Sequence, residues 1–156
     1  LFGVERSQID VVVHPQSIIH SLVQFRDSSI KAQLGLPDMK LPIQYALGYP
    51  ERLQAAFERF TFADYPTLTF EPPDAETFRN LKLAYKAMEQ AGNMPCILNA
   101  ANEIAVKRFL QDEINFLQIA ELNEVCMQSV NYVAEPTIED FVQTDKLARQ
   151  KAQEML

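Results

Sequence analysis

Apolar and polar positions change rhythm part-way along this chain. Over residues 9–34 the rhythm is that of strands. Ile9-Asp10-Val11-Val12-Val13 is a β-branched run that ends at His14-Pro15, where proline removes a ladder donor. Ile19-His20-Ser21 and Val23-Gln24-Phe25 alternate apolar and polar side chains, and Ile30-Lys31-Ala32-Gln33-Leu34 alternates strictly. Two such runs around a short polar turn, Arg26-Asp27-Ser28-Ser29, predict a β-hairpin. Gly35-Leu36-Pro37-Asp38 breaks the pattern. Asp38 is then placed to cap a helix over 39–47, where Pro42 is tolerated because it lies in the first turn.

Residues 49–74 carry Pro50, Pro66, Pro72 and Pro73 and a scatter of aromatics that includes Phe57, Phe60, Phe62, Tyr65 and Phe70. The stretch is too apolar for a free linker, and it reads as an ordered connection lying on another layer, with a short strand hidden at 67–70. Residues 75–156 switch to helical spacing and predict four helices. Phe78, Leu81, Tyr85 and Met88 form the stripe of the first, which Gly92 terminates. Pro95 opens the second, with Leu98, Ala101, Ala105 and Phe109 on one face. Ile119, Leu122, Cys126, Val130 and Val133 mark the third. Pro136 and the capping box Thr137-x-x-Asp140 begin the fourth, carried by Ile138, Phe141, Ala148, Ala152 and Met155. The expected fold class is α+β: a hairpin or partial sheet over 1–48, an ordered linker over 49–74, and a four-helix bundle over 75–156.

With 47% hydrophobic and 22% charged residues in 156, the composition is that of a soluble globular protein. No apolar run approaches the ~20 residues needed to span a bilayer. The first ten residues lack the basic-then-apolar order of a secretory signal. The opening Leu1-Phe2-Gly3, with no initiator Met, leads to the expectation of a piece cut from a longer protein. Net charge is −7; residues 1–50 balance, so the acidic excess lies in 51–156. Such a surface repels nucleic acid and acidic membranes, and neither is an expected partner. Cys96 and Cys126 fall inside helical patterns at a spacing that matches no metal motif, and they read as buried thiols of a reducing cytosol.

The densest polar cluster is His14-Pro15-Gln16-Ser17-Ile18-Ile19-His20-Ser21. Its residues can satisfy backbone groups at a strand end. Its two histidines can also share a metal, although no Cys or carboxylate nearby completes a ligand set. Ser17 and His20 invite comparison with a nucleophile and its base, but no G-x-S-x-G elbow supports a hydrolase. Nothing in the sequence cradles a pyrophosphate: neither G-x-G-x-x-G nor G-x-x-x-x-G-K-[ST] occurs. Leu98-Asn99-Ala100-Ala101-Asn102-Glu103 sits early in a helix, where Asn99, Asn102 and Glu103 share a side and read as cross-links between elements.

In order along the chain come His-Pro-Gln-Ser-x-Ile-His-Ser at His14 to Ser21, Ala-Gln-Leu-Gly at Ala32 to Gly35, Pro-Asp-Met at Pro37 to Met39, Pro42-Ile43, and Leu-Asn-Ala-Ala-Asn-Glu at Leu98 to Glu103. This succession resembles the 1-deoxy-D-xylulose 5-phosphate reductoisomerase family. The resemblance implies the C-terminal part of an enzyme with a dinucleotide-binding domain, a catalytic domain and a C-terminal four-helix bundle, with residues 1–48 ending the catalytic domain. The implied activity converts 1-deoxy-D-xylulose 5-phosphate to 2-C-methyl-D-erythritol 4-phosphate in the non-mevalonate route to isoprenoids. It proceeds by rearrangement and then NADPH-dependent reduction, with Mg²⁺ or Mn²⁺ holding the substrate. A cytoplasmic homodimer inhibited by fosmidomycin is implied as well.

Carried over residue by residue, the resemblance implies that Ser17 and His20 line the sugar-phosphate pocket. Pro37 and Met39 border the substrate, with Met39 near the nicotinamide, and His14 and Gln16 support them from behind. The family's carboxylate metal ligands, in an Asp-x-Glu pair and an Asn-Lys-Gly-x-Glu segment, belong upstream of Leu1, as do the Trp-bearing lid and the phosphate-binding Ser, Asn and Lys. No catalytic residue, no metal ligand and no bound NADPH are therefore expected in this stretch, which is expected to be inactive without the rest. The competing expectation is a non-catalytic module serving folding or self-association through hairpin edges.

Overall fold

One helix organises the C-terminal part of the chain because it is apolar around most of its circumference. It is Met94–Leu110, the third helix (α3) of five in the computed structural model, which describes residues 3–155. Leu1 and Phe2, the start of the stretch read above for a signal, and Leu156 lie outside the described residues. The other elements are β1 (Ile19–Gln24), β2 (Ile30–Leu34), α1 (Lys40–Gly48), α2 (Arg79–Gln90), α4 (Phe116–Ser129) and α5 (Ile138–Glu154), preceded by a 3-10 turn at Arg6–Gln8. The α+β class and the helical domain after the hairpin agree with the sequence reading. No described helix is long and apolar enough to cross a membrane.

The chain divides into two compact units. One joins the residues up to Asp10 with those from Asp74 onward; the other is Val11–Pro73. This partition differs from the expected division at 48/49 and 74/75, because the irregular stretch packs in the same unit as the hairpin, and the first ten residues go with the helices. In the helical unit, Arg6 holds its guanidinium 3.6 Å from the centroid of the Tyr85 ring on α2, a cation–π contact.

In α3, Met94, Ile97, Ala100, Ala101, Ile104 and Ala105 are buried, and α2, α4 and α5 all pack on it. Fully buried Ala148 and Ala152 of α5, one turn apart, give a small-residue seam. On α2 the core contacts are Leu83 and Ala87; the expected stripe Leu81, Tyr85 and Met88 flanks them, and Phe78 is 59% exposed at the capping position. α2 buries a narrow seam, so the longer stripe lies at its margin. The third stripe stops at Val130, because α4 ends at Ser129 and the Val133 carbonyl instead accepts the Asn93 N–H at 3.0 Å. On α5, Ile138 is 77% exposed and Phe141 also faces out, so burial starts at Thr144.

Caps were more legible than faces. Thr137 and Asp140 form the reciprocal capping box of α5, and Asn115 with Gln118 forms another on α4. Arg108 of α3 donates to the Ala152 carbonyl at 2.9 Å, satisfying an acceptor in the last turn of α5. Fully buried Asn93 uses its whole amide: Nδ2 donates to the Asn131 carbonyl (3.0 Å) and Thr144 Oγ1 (2.9 Å), and Oδ1 accepts from Val133 N (2.9 Å). Both cysteines are free, Cys126 buried and Cys96 half-buried, and burial is the main cause that raises both thiol pKa values.

In the other unit, β1 and β2 pair antiparallel as predicted, from Gln24↔Ile30 to Ile19↔Leu34. A five-residue connection, 25–29, joins them, with Ser28 at φ 67° and Asp27 Oδ1 accepting from the Ser29 backbone (3.0 Å) and hydroxyl (2.6 Å). The Asp27 carboxyl lies below its ordinary value through those two bonds, the hydroxyl contributing most. The expected strand at 9–13 is reduced to one bridge, Val13↔Glu71, and the one expected at 67–70 does not form, the bridge partner lying one residue beyond it. The next hydrogen-bonded pairs on either side would involve Pro15 and Pro73, and each lacks the N–H that would extend the bridge. α1 is shifted one residue from 39–47, and Asp38 Oδ1 accepts the Lys40 N–H at 2.9 Å.

Gly92, at φ 56°, stands where an added Cβ would lie 2.3 Å from the Val133 carbonyl. Gly92→Ala is expected to cost roughly 3 kcal/mol of stability. Neighbouring Ala91, also at φ 56°, pays a left-handed penalty, and Ala91→Gly is expected to add about 1 kcal/mol. Denaturant unfolding of the two variants checks both signs. Three carboxylates of the helical unit lie below their ordinary values of 3.8 (Asp) and 4.5 (Glu): Asp74 through the Thr77 hydroxyl and backbone, Asp140 through the Thr137 backbone and hydroxyl, and Glu103 through Arg149 and then Asn99. A depressed folded-state pKa contributes stability that is complete above the ordinary carboxylate range and is lost as pH falls through the folded value. Thermal melts from neutrality into acid are expected to show that loss, and Asp140→Asn to make it shallower.

Candidate functional site

The polar string from His14 to Ser21 is bent by three local departures from strand geometry. The Ser17 N–H donates to the His14 carbonyl at 3.0 Å, closing a tight turn, and Ser17 itself takes φ 51°, an uncommon value for a residue with a side chain. Ile18 is then fully buried, and its carbonyl accepts the Gly35 N–H at 3.0 Å, tying this turn to the end of β2. In the ladder, Ile19 faces Leu34 and Ser21 faces Gln33, so the register shifts and His20 is the extra residue. Such irregularities re-aim a side chain and end regular pairing.

These departures bring Ser17 and His20 to a cavity of about 500 Å³ that Pro37 and Met39 also line. Gly35, Leu36 and Asp38 complete that loop, while Gln33, Leu34, Leu41, Pro42 and Tyr45 supply the rest of the wall from β2 and α1. All lie in the Val11–Pro73 unit. The wall is mostly apolar, with a few polar side chains set into it, the usual make-up of a small-molecule site. Leu41, Pro42 and Tyr45 follow helical spacing on α1, a signal that the sequence reading left unused.

His14 and Gln16 do not line the cavity. His14 Nδ1–H donates to the Thr69 carbonyl at 2.8 Å, and its ring stacks on Phe70 with centroids 4.8 Å apart. Gln16 Nε2 donates to Thr69 Oγ1 at 2.8 Å, and Gln16 Oε1 accepts from Thr69 N at 3.1 Å. Thr69 and Phe70 were missed because they lie more than fifty residues downstream in an irregular stretch. His14 Nε2 is buried and meets no hydrogen-bond partner among the described residues. No hydrogen bond joins Ser17 to His20, and no three His, Cys, Asp or Glu side chains gather as a metal site, among the described residues. A serine nucleophile and a histidine-pair metal site thus have no geometric support here.

The helical unit holds a larger cavity, about 660 Å³, between α2, α3 and α4. Its polar rim is occupied in cross-linking: Asn123 Nδ2 donates to Asn80 Oδ1 (2.9 Å) and Asn102 Oδ1 (3.0 Å). Asn99 bonds Glu103 at 3.1 Å, and Glu103 accepts from Arg149 of α5 at 2.7 Å. The Asn-rich string on α3 therefore joins four helices, as its spacing led one to expect.

Relatives share both the sequence and the shape. The chain is 58% identical over its full length to the 1-deoxy-D-xylulose 5-phosphate reductoisomerase of Phocaeicola vulgatus, of which it covers 41%. It is 57% identical over its full length to that of Bacteroides fragilis, covering 40%. Among solved structures, the Zymomonas mobilis reductoisomerase in complex with NADPH matches 92% of the chain and 38% of its own at 42% identity, with a TM-score of 0.80. A reductoisomerase in complex with NADPH, fosmidomycin and magnesium matches 98% and 40% at 36% identity, with a TM-score of 0.88. The chain spans about two-fifths of the length of the relatives it matches. Residues 34–151 match the DXP reductoisomerase C-terminal domain, and with it the chain belongs to the 1-deoxy-D-xylulose 5-phosphate reductoisomerase family.

Proposed function

We propose that these residues are the C-terminal part of an enzyme that converts 1-deoxy-D-xylulose 5-phosphate to 2-C-methyl-D-erythritol 4-phosphate, and that they form one wall of its substrate pocket. The observation that carries this reading is the convergence of Ser17, His20, Pro37 and Met39, distant in sequence, on one 500 Å³ cavity. Ser17 and His20 supply hydrogen-bonding groups for a sugar phosphate. Pro37 and Met39 supply an apolar wall, and Met39, a flexible thioether that is 71% exposed, suits the side on which the nicotinamide lies. His14 and Gln16 hold the turn from behind.

The residues present do not fit a divalent cation, since no cluster of His, Cys, Asp or Glu forms among those described. Nor do they contain a glycine-rich phosphate loop. NADPH and Mg²⁺ or Mn²⁺ are accordingly assigned to the upstream part of the protein, as are the catalytic groups. By role, 1–48 ends the catalytic domain, 49–74 connects and 75–156 is the helical domain, a division that cuts across the two compact units. A cytoplasmic homodimer completes the reading.

NADPH oxidation with 1-deoxy-D-xylulose 5-phosphate and Mg²⁺ is expected to be undetectable with residues 1–156 alone and to appear when the upstream part of the enzyme is supplied. Turnover by the isolated chain would overturn the assignment of the metal and cofactor sites. In the full-length protein, Ser17→Ala and His20→Ala are each expected to raise KM roughly ten- to a hundredfold, the loss of a hydrogen bond to a charged group. Unchanged KM in both variants would remove the cavity from the substrate pocket.

A further inference from the structure

Ser17 holds its place against its own preference. A side-chain-bearing residue at φ 51° relaxes toward the extended or right-handed region unless its neighbours prevent it. On its C-terminal side the restraint is burial of Ile18 and the bond from Gly35 N to the Ile18 carbonyl. On its N-terminal side the restraint comes from outside the motif. Thr69 meets this turn with its backbone N–H, its hydroxyl and its carbonyl: the first two engage Gln16, at 3.1 Å to Oε1 and 2.8 Å from Nε2, and the third accepts from His14 Nδ1 at 2.8 Å. The Thr69 hydroxyl also lies 3.2 Å from Gln16 Oε1. The paired bonds between Val13 and Glu71, each 2.9 Å, and the stack of His14 on Phe70 fix the same register.

We propose that Thr69 is a positioning residue for the sugar-phosphate pocket: it lines no part of the cavity, and it sets where the Ser17 hydroxyl stands by locking the turn that precedes it. The inference rests on the pocket assignment made above. The residue type follows from the geometry. One side chain must accept from an amide N–H and face the amide oxygen of the same Gln, which a hydroxyl can do and an apolar side chain cannot. It must also sit in an extended segment, where a β-branched residue is at ease.

The test is steady-state kinetics of the full-length enzyme. Thr69→Val, which keeps the shape and removes the hydroxyl, is expected to raise KM for 1-deoxy-D-xylulose 5-phosphate about three- to tenfold with kcat changed less than about twofold. Thr69→Ser is expected to restore the starting KM. Gln16→Leu, which breaks the contact from the other side, is expected to give the same rise, and its combination with Thr69→Val no more than either alone. In a Ser17→Ala background, Thr69→Val should leave KM where Ser17→Ala put it. A rise in KM from Thr69→Val that persists undiminished in that background would overturn the proposal, because the effect would then bypass Ser17. So would a normal KM in Thr69→Val while Ser17→Ala alone raises it. If Ser17→Ala itself left KM unchanged, the positioning role would fall, whereas the pocket assignment falls only if His20→Ala leaves it unchanged as well.

Discussion

Burial is divided very unevenly between the two units, and most other features follow from that. Between Val11 and Pro73 a single described side chain, Ile18, is buried, whereas the helical unit encloses a continuous core around α3. One fully buried aliphatic side chain contributes only about 1.5–3 kcal/mol, while fixing each backbone residue costs about 1–2 kcal/mol. The hairpin unit is therefore held in shape by turns, ladder bonds and side-chain clamps. Its apolar surface stays largely open: Val11, Val12, Leu22, Val23, Phe25 and Ile30 are all exposed, on both faces of the hairpin. The relatives are more than twice as long as this chain, and exposed surface of this kind is what further protein covers.

A pocket built on such a unit has to be positioned by polar contacts. In a well-packed core, side-chain volume fixes each neighbour to within a few tenths of an ångström. Around the 500 Å³ cavity that constraint is replaced by specific bonds: Thr69 on Gln16 and His14, Gly35 on Ile18, Asp38 on Lys40. Ser17 and His20, two of the residues that supply polar groups to the cavity, are also residues whose local backbone departs from the strand, one by a positive φ and the other by a register shift. Departures of this kind persist only where surroundings over-determine them.

What the sequence disclosed depended on how local the governing interaction was. Caps and turns engage residues three or four apart, so Thr137 with Asp140, Pro95 and the hairpin loop could be read directly. Helix faces depend on which neighbours arrive. α2 turned Leu83 and Ala87 inward instead of the stripe through Leu81 and Tyr85, because a marginal helix needs only a narrow contact. The run at 9–13 has every property of a strand except partners for its full length, and Pro15 and Pro73 limit it to one bridge. For the site, Ser17, His20, Pro37 and Met39 line one cavity, while the contact of Thr69 and Phe70 with the motif had no sequence signal. Nothing in the chain's periodicity links position 16 to position 69.

The two most distinctive strings in the sequence owe their residue choice to different physical demands. His14 to Ser21 bends around a turn and a register shift, and it sends side chains both to the cavity and to the clamp behind it. Leu98 to Glu103 lies on the central helix, where Asn102 and Asn99 meet the amide of Asn123 and the carboxylate of Glu103. Through those partners it ties α3 to α2, α4 and α5. An amide is well suited to that position, since it can donate and accept without bringing a charge into the bundle. Asn123 is fully buried, and a buried amide N–H left without Asn80 and Asn102 would cost about 1–3 kcal/mol, so these contacts constrain sequence as a binding site does. Distinctiveness of a motif therefore marks a demanding environment, and only the surrounding geometry tells whether the demand comes from a ligand or from packing.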